Sequence, residues 1–384
     1  MLKRNIKKHF IAYRLLRPII HICARILLNF KCKPAPEIKE PCIILANHTM
    51  DWDPLLVACS FKKPINFLAS EHAMRMGFLS FILKTFFSPI ERVKGSTDAA
   101  AAMSLVSMIR NGVSVCMFPE GNRSFDGKTD KLHPTTSRLA KLCNCTIVTY
   151  KIKGGYLTTP RWGCGLRRGK VTGEVVNVYT ADDVKKMSTE ELSSHISEDI
   201  SENIYETQHT VQQKYSGRNL AEGIERVLYI CPKCHKIGTI KGIGNYGKCE
   251  CGLSFRYNVF GILEGMEEPF NTICGWNEWQ KSFLKDLLAK DAVNIYDEDQ
   301  KLYTLEKDHT LKLVDSGRLS ISNTELLFND KKFPLDKIQL SVIRKQDIVF
   351  SYEGVNYEIH SGHARSALKY LTMSDIVKYA LKTN

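Results

Sequence analysis

No stretch of this 384-residue chain offers the eighteen or so consecutive uncharged apolar residues that a membrane-crossing helix requires. The apolar core between Arg17 and Arg25 is too short for a secretory signal and lacks a small-residue cleavage site. Internal repeats and low-complexity linkers are also missing, so ordinary folded domains are expected. The length suffices for two or three of them with buried cores.

Cysteine is not scarce, but thirteen is an odd number. Cys42, Cys59, Cys116, Cys143 and Cys145 stand singly in apolar surroundings. That usage suits reduced core thiols and points to the cytosol. The Asn-x-Ser/Thr triplets at Asn47, Asn122 and Asn144 then carry no meaning as glycosylation sites.

Acidic residues are absent before Glu37, although the chain as a whole holds 54 Lys plus Arg against 41 Asp plus Glu, a net charge of +13. Lys3, Arg4, Lys7, Lys8, Arg14, Arg17, Arg25, Lys31 and Lys33 supply much of that excess. Interleaved with them are Phe10, Ile11, Leu15, Leu16, Ile19, Ile20 and Ile26. The mixture predicts one helix, or two broken at Pro18, lying flat on an anionic bilayer over residues 1–34. A solvated basic helix packed on its own domain is the blander alternative.

From residue 35 to 225, short apolar runs alternate with amphipathic stretches. CIILA, PINFLAS, SVCMF, CTIVTYKI and KVTGEVVNVY read as strands, and TDAAAAMSLVSMIRNG as a helix ending at Gly112. Gly77–Phe87 (GFLSFILKTFF) reads as an apolar helix, in the core, along an acyl-chain groove or dipping into the bilayer. Such alternation predicts an α/β fold on a mostly parallel sheet. Ser188-Thr-Glu-Glu191 is a capping box. Leu192, Ile196, Ile200 and Ile204 follow as one buried stripe, then a hinge at Gly217 and a short helix, NLAEGIERVLY. Residues 226–260 carry paired cysteines. Residues 261–384 pair a helix, WNEWQKSFLKDLLAK, with several short strands and a C-terminal helix. That order suits a small antiparallel β-domain and resembles pleckstrin-homology-like folds.

The stretch NHTMDWDP (Asn47 to Pro54) follows the strand CIILA. On one continuous helix His48 and Asp53 would point apart. If His48 sits on the loop and Asp53 caps the next helix, with Pro54 in its first position, they can meet. Asp53 would then hold one tautomer of an imidazole that takes a proton from a hydroxyl. SPIERVKG, with Arg92, follows, and then FPEGNRS from Phe118 to Ser124. These three stretches, in this order, resemble the glycerolipid acyltransferase family, specifically the 1-acylglycerol-3-phosphate acyltransferases. The resemblance covers roughly residues 35 to 180.

It implies transfer of a fatty acyl group from a coenzyme A or acyl-carrier-protein thioester to a lysophospholipid hydroxyl. His48 would be the general base and Asp53 its support. Arg92 and Arg123 suit the acceptor phosphate, with Lys94 competing for the role of Arg92. Glu120 and Gly121 are placed near the acceptor. The family's fourth block departs: IVTYKI puts Thr149 and Tyr150 where an apolar, proline-bearing segment is usual, which bears on acceptor or acyl-chain preference. PRWGCGLRRGK (Pro160 to Lys170), with Trp162, reads as a headgroup contact or a basic hairpin turn.

Cys231-Pro-Lys-Cys234 and Cys249-Glu-Cys251 have the spacing of a four-thiolate structural zinc ribbon. His235 is then superfluous as a ligand. Gly242-Ile-Gly244-Asn-Tyr-Gly247 spells a dinucleotide fingerprint, but no crossover helix follows it, so it reads as turn glycines. The expectation is a peripheral acyltransferase on the cytoplasmic membrane face, acting on 1-acylglycerol-3-phosphate and binding no nucleic acid. Its rivals are an enzyme for glycerol-3-phosphate or another lysophospholipid, and a non-catalytic membrane or nucleic-acid adaptor.

Overall fold

The computed structural model describes residues 2–70, 90–92, 99–306 and 308–383. The chain divides into two compact units. The first spans residues 1–93, 98–161 and 166–216; the second spans 94–97, 162–165 and 217–384. The division falls at the expected hinge, Gly217, and nine residues before the expected boundary at 225/226. Paired cysteines and β-rich segment share one unit.

The first unit is built on a seven-stranded sheet of β1 (Phe30–Cys32), β2 (Cys42–Ala46), β3 (Ile65–Ser70), β4 (Ile90–Arg92), β5 (Ser114–Met117), β6 (Thr146–Lys153) and β7 (Val171–Tyr179). The order is β1-β7-β6-β2-β5-β3-β4, and every neighbouring pair is parallel except β6 with β7. Central β2 is buried at every residue. Its alternation feeds two cores: Cys42, Ile44 and Ala46 join one, Ile43 and Leu45 the other. Such two-sided burial is why parallel strands read as continuous apolar runs.

Helix α1 (Leu2–Leu28) is continuous through Pro18. Ala12, Tyr13, Ala24 and Leu28 are buried on one side. Tyr13 donates its hydroxyl to the Ala58 carbonyl at 2.8 Å, and Arg17 donates to the Cys59 carbonyl at 2.7 Å. Both acceptors lie at the C-terminal end of α2 (Asp53–Ser60). Ile11, Leu15, Ile19, Ile22 and Ile26 remain exposed, at a helical spacing of three or four. No described helix is long and apolar enough to cross a membrane.

Helix α3 (Ala99–Arg110) ends, as read, before Gly112, whose φ of +82° suits a residue without a Cβ. The Ser188 capping box forms with both reciprocal bonds. Ile204 leaves the expected stripe, because the helix stops at Ile200 and a new one, capped by Asn203, begins at Ile204. The apolar stretch Gly77–Phe87 lies outside the described residues.

In the second unit β8 (Ile240–Ile243), β9 (Tyr246–Cys249), β10 (Ser254–Tyr257) and β11 (Leu263–Glu264) form a four-stranded sheet, order β11-β10-β9-β8. Seven more strands follow: β12 (Ile295–Leu305), β13 (Leu311–Ile321), β14 (Glu325–Phe328), β15 (Lys331–Pro334), β16 (Ser341–Ile343), β17 (Asp347–Tyr352) and β18 (Val355–Ser361). Their order is β15-β14-β13-β12-β18-β17-β16, antiparallel throughout, and the helix Leu368–Thr383 ends the chain. Strand β13 merges the residues on both sides of Gly317 into one run. NLAEGIERVLY holds only a 3₁₀ turn at Ile224–Arg226.

Trp162 corrects the reading of the PRWGCGLRRGK segment. It is buried and packs edge-on against Tyr257, 5.5 Å between ring centroids, so it is no membrane anchor.

Candidate active site and cysteine cluster

The loop after β2 begins with Asn47, which is fully buried. Its side-chain amide donates to the Ile152 carbonyl at 2.8 Å and its carbonyl accepts from the Ile152 amide at 2.7 Å. This two-point bond ties the loop to β6. The next residue, His48, stacks on Phe118, the first residue of the FPEGNRS stretch, with ring centroids 4.3 Å apart.

His48 Nδ1 lies 2.8 Å from Asp53 Oδ2, and Asp53 is fully buried. The same carboxylate accepts the amides of Thr49 and Met50, and Thr49 Oγ1 at 3.1 Å. Asp53 is therefore not the helix cap. Trp52 takes that position, Asp53 is the first helical residue, and its side chain turns back onto the loop that carries the histidine. A buried carboxylate with this many donors is held in place and, in turn, holds the imidazole. The His48 side chain keeps 21% of its surface exposed.

The FPEGNRS turn comes from the end of β5, β2's neighbour in the sheet. Gly121, at φ +73°, has nothing within 4 Å of where a Cβ would stand, so its glycine serves the turn and leaves open space beside it. The Ser124 amide donates to the His48 carbonyl at 2.9 Å, joining the two loops. Arg123 is mostly buried and pairs at 2.9 Å with the exposed Asp51.

Glu120 lines the cleft beside His48 and bonds two backbone amides. Its Oε1 accepts the His48 backbone amide at 2.6 Å and its Oε2 accepts the Asp130 amide at 2.9 Å. Burial raises its pKa well above the ordinary carboxylate range. Glu120 thus clamps the histidine's backbone.

Arg161 escaped sequence reading because it sat in an apparent basic turn. It is buried, donates Nη1 to the Arg123 carbonyl at 3.0 Å, and lies 4.0 Å over the Phe125 ring. Burial and its neighbour Arg123 lower its pKa well below the ordinary arginine value.

Arg92 ends β4, and its side chain, like the whole of Lys94, lies outside the described residues. Thr149 and Tyr150, the departures in the fourth block, are buried and bonded to Asp199 at 2.8 Å and Ser60 at 2.6 Å. Beside His48, a small cleft is lined by Thr49, Glu120, Lys128, Tyr156 and Glu202 among others.

In the second unit the sulfurs of Cys231, Cys234, Cys249 and Cys251 all lie within 4.8 Å of one another. Cys231 to Cys251 is 3.6 Å and Cys234 to Cys249 is 3.8 Å. A zinc ion with four sulfurs at about 2.3 Å has tetrahedral edges of about 3.8 Å, so the donor set fits that ion. None of the four is in a disulfide. His235 packs against Trp279 and Phe283 instead.

Residues 28–153 match the sequence model of the Acyltransferase family. Over 169 residues the chain is 26% identical to a 1-acyl-sn-glycerol-3-phosphate acyltransferase of Borreliella burgdorferi, a stretch covering 42% of this chain and 65% of that relative. The chain thus spans just under two thirds of its relative's length. A solved structure of the 1-acyl-sn-glycerophosphate acyltransferase PlsC from Thermotoga maritima is similar at 19% identity and a TM-score of 0.43, over 53% of this chain and 81% of that one. Residues 28–153, which contain both the Asn47–Asp53 and the Phe118–Ser124 motifs, thus match the Acyltransferase family.

Proposed function

We propose that the protein moves a fatty acyl group from a coenzyme A or acyl-carrier-protein thioester to the free hydroxyl of 1-acylglycerol-3-phosphate. The observation that carries this reading is the buried Asp53 carboxylate on His48 Nδ1, which leaves Nε2 as the nitrogen for the acceptor. Nε2 takes the hydroxyl proton as the oxygen attacks the thioester carbonyl. The carbon–sulfur bond then breaks, and the proton passes to the leaving thiolate. A positioned base of this kind contributes about 10²–10⁴-fold.

Arg123 serves the acceptor phosphate, exchanging its bond to exposed Asp51 for the stronger partner. Arg161 fixes the carbonyl of Arg123, and Arg92 is assigned to the same phosphate on its motif alone. Glu120 acts on the histidine loop and not on the acceptor. The exposed Ile11–Ile26 stripe of α1, with its basic neighbours, supports peripheral attachment to anionic lipid on the cytoplasmic face. The four thiolates hold a structural zinc, which takes no part in the transfer. The seven-stranded antiparallel domain is assigned the pleckstrin-homology-like shape.

The test is acyl transfer by the purified protein, alongside His48→Ala, using a labelled acyl thioester and a panel of lysophospholipid and glycerol-3-phosphate acceptors. A diacyl product from 1-acylglycerol-3-phosphate, lost in a folded His48→Ala, is expected. Equal product from protein and variant would sink the assignment of the base. A better rate with glycerol-3-phosphate would reassign the acceptor.

A further inference from the structure

The stretch Gly242–Gly247, which imitates a dinucleotide fingerprint, is the tip of the β8–β9 hairpin. Its inner face explains two of the glycines. A Cβ on Gly242 would meet the Ala221 carbonyl at 2.0 Å, and one on Gly247 would meet the Phe255 ring at 2.1 Å. The turn is pinned further: the Ala221 amide donates to the Gly244 carbonyl at 2.9 Å, and the Leu220 amide to Asn245 Oδ1 at 2.8 Å. The hairpin is rigid, and β9 ends on Cys249.

The outer face is different. Ile243 and Tyr246 oppose each other at the tip, 64% and 48% exposed. Two residues back, Lys241 and Lys248 stand directly opposite on the same face. Both are exposed, and neither forms an ion pair among the described residues. Like charges directly across a ladder destabilise it, so this pair does not serve the fold. Arg256, beside Tyr246 on β10, adds a third cation, weakly held by Glu264 at 3.3 Å. The nearby acids are few. Glu225 is bonded to the Gly242 amide at 3.0 Å, and Glu250 is exposed just past Cys249.

We infer that this hairpin is a second membrane-docking element, inserting Ile243 and Tyr246 into an anionic bilayer surface while Lys241 and Lys248 meet the lipid phosphates. The spacing carries the choice of partner. Two residues of strand place the lysines about 7 Å behind the apolar tip. Apolar side chains at an interface settle about 5–10 Å into the headgroup and acyl boundary, which leaves the cations level with phosphate. A nucleic-acid surface would want its cations foremost and gains nothing from an isoleucine at the furthest reach. A rigid tip also loses little conformational entropy on insertion.

The experiment uses the full-length, zinc-loaded chain and vesicles of phosphatidylglycerol with phosphatidylcholine, or of phosphatidylcholine alone. Ile243→Asp with Tyr246→Asp is expected to lower the partition coefficient on anionic vesicles at least tenfold. Lys241→Gln with Lys248→Gln is expected to lower it about fivefold to thirtyfold at low salt, with little effect on neutral vesicles. Zinc content and circular dichroism should be unchanged, since all four side chains face solvent. Tyr246→Trp reads the tip directly: bromine-labelled acyl chains should quench it beyond the wild-type tryptophans. Leu15→Asp with Ile19→Asp, measured in parallel, reports α1 separately, so the two docking surfaces fail or hold independently. Unchanged partition in the tip variants, or no added quenching, would overturn the inference. So would binding to a DNA or RNA duplex that the lysine variants lose while vesicle binding stays intact.

Discussion

The mostly parallel sheet of the first unit and the four-stranded antiparallel sheet of the second place their polar groups in opposite ways. β2 is buried on both faces, so functional groups appear only where the strand ends, at Asn47, His48 and the start of α2. There Asn47 and Asp53 stay buried while His48 keeps part of its side chain exposed, so a carboxylate such as Asp53 can be locked by several donors and made to orient a base. On β8, β9 and β10 every second residue reaches solvent, and Lys241, Lys248 and Arg256 lie along the strands. Such a face attracts a charged partner, but none of these cations is desolvated or tightly oriented. Burial at strand ends suits chemistry; alternation along strands suits surfaces.

Breaking the chemical end should give the largest effect. His48→Ala is expected to lower acyl-transfer turnover by about 10²–10⁴-fold with the fold retained, as read by initial rates and circular dichroism. A loss of less than tenfold would move the base elsewhere. Asp53→Ala should cost both rate and roughly 2–4 kcal/mol of stability, because the Thr49 and Met50 amides lose their buried acceptor. Urea unfolding measures the second part, and an unchanged midpoint would contradict the network described.

Next in size is the cysteine cluster. Cys231→Ser, or a strong chelator, should release one zinc per chain and expose segments of residues 217–384 to protease. Atomic absorption on the untreated protein decides the premise, since a zinc-free, fully folded chain would remove it.

Glu120→Gln gives a smaller and sharper test. An amide can accept at one oxygen only, so it cannot serve both the His48 and Asp130 amides. As a clamp on the histidine loop, the substitution should lower kcat about tenfold and leave KM for the acceptor nearly unchanged. A rise in KM alone would return Glu120 to the substrate. The smallest effect belongs to the exposed pair Lys33–Glu174 at 2.6 Å, where Lys33→Ala should change stability by about 0.5 kcal/mol or less.

Much of the first unit could be read without coordinates. Runs such as CIILA and TIVTYKI are continuous because their strands are covered on both sides. The Ser188 capping box is local chemistry and formed as written. The His48–Asp53 pair spans one loop, so proximity in sequence foretold proximity in space, even though Asp53 proved a loop organiser and not a cap. The merged strand β13, the break before Ile204 and the burial of Trp162 were not legible, because each depends on what packs alongside. Glu120 and Arg161 belong with them. Their partners lie 72 and 38 residues away, too far for any local pattern.

By itself, then, the sequence determined the two strand-end motifs, the four thiols and the basic amphipathic N-terminus, since residue type and short spacing suffice for each. The pairing of His48 with Asp53 belongs with these, but only the tertiary structure decided that Glu120 clamps the histidine's backbone, because that role turns on which amides a buried oxygen faces. It likewise decided that Ile243, Tyr246, Lys241 and Lys248 share one exposed face. Strand register sets that, and no composition records it.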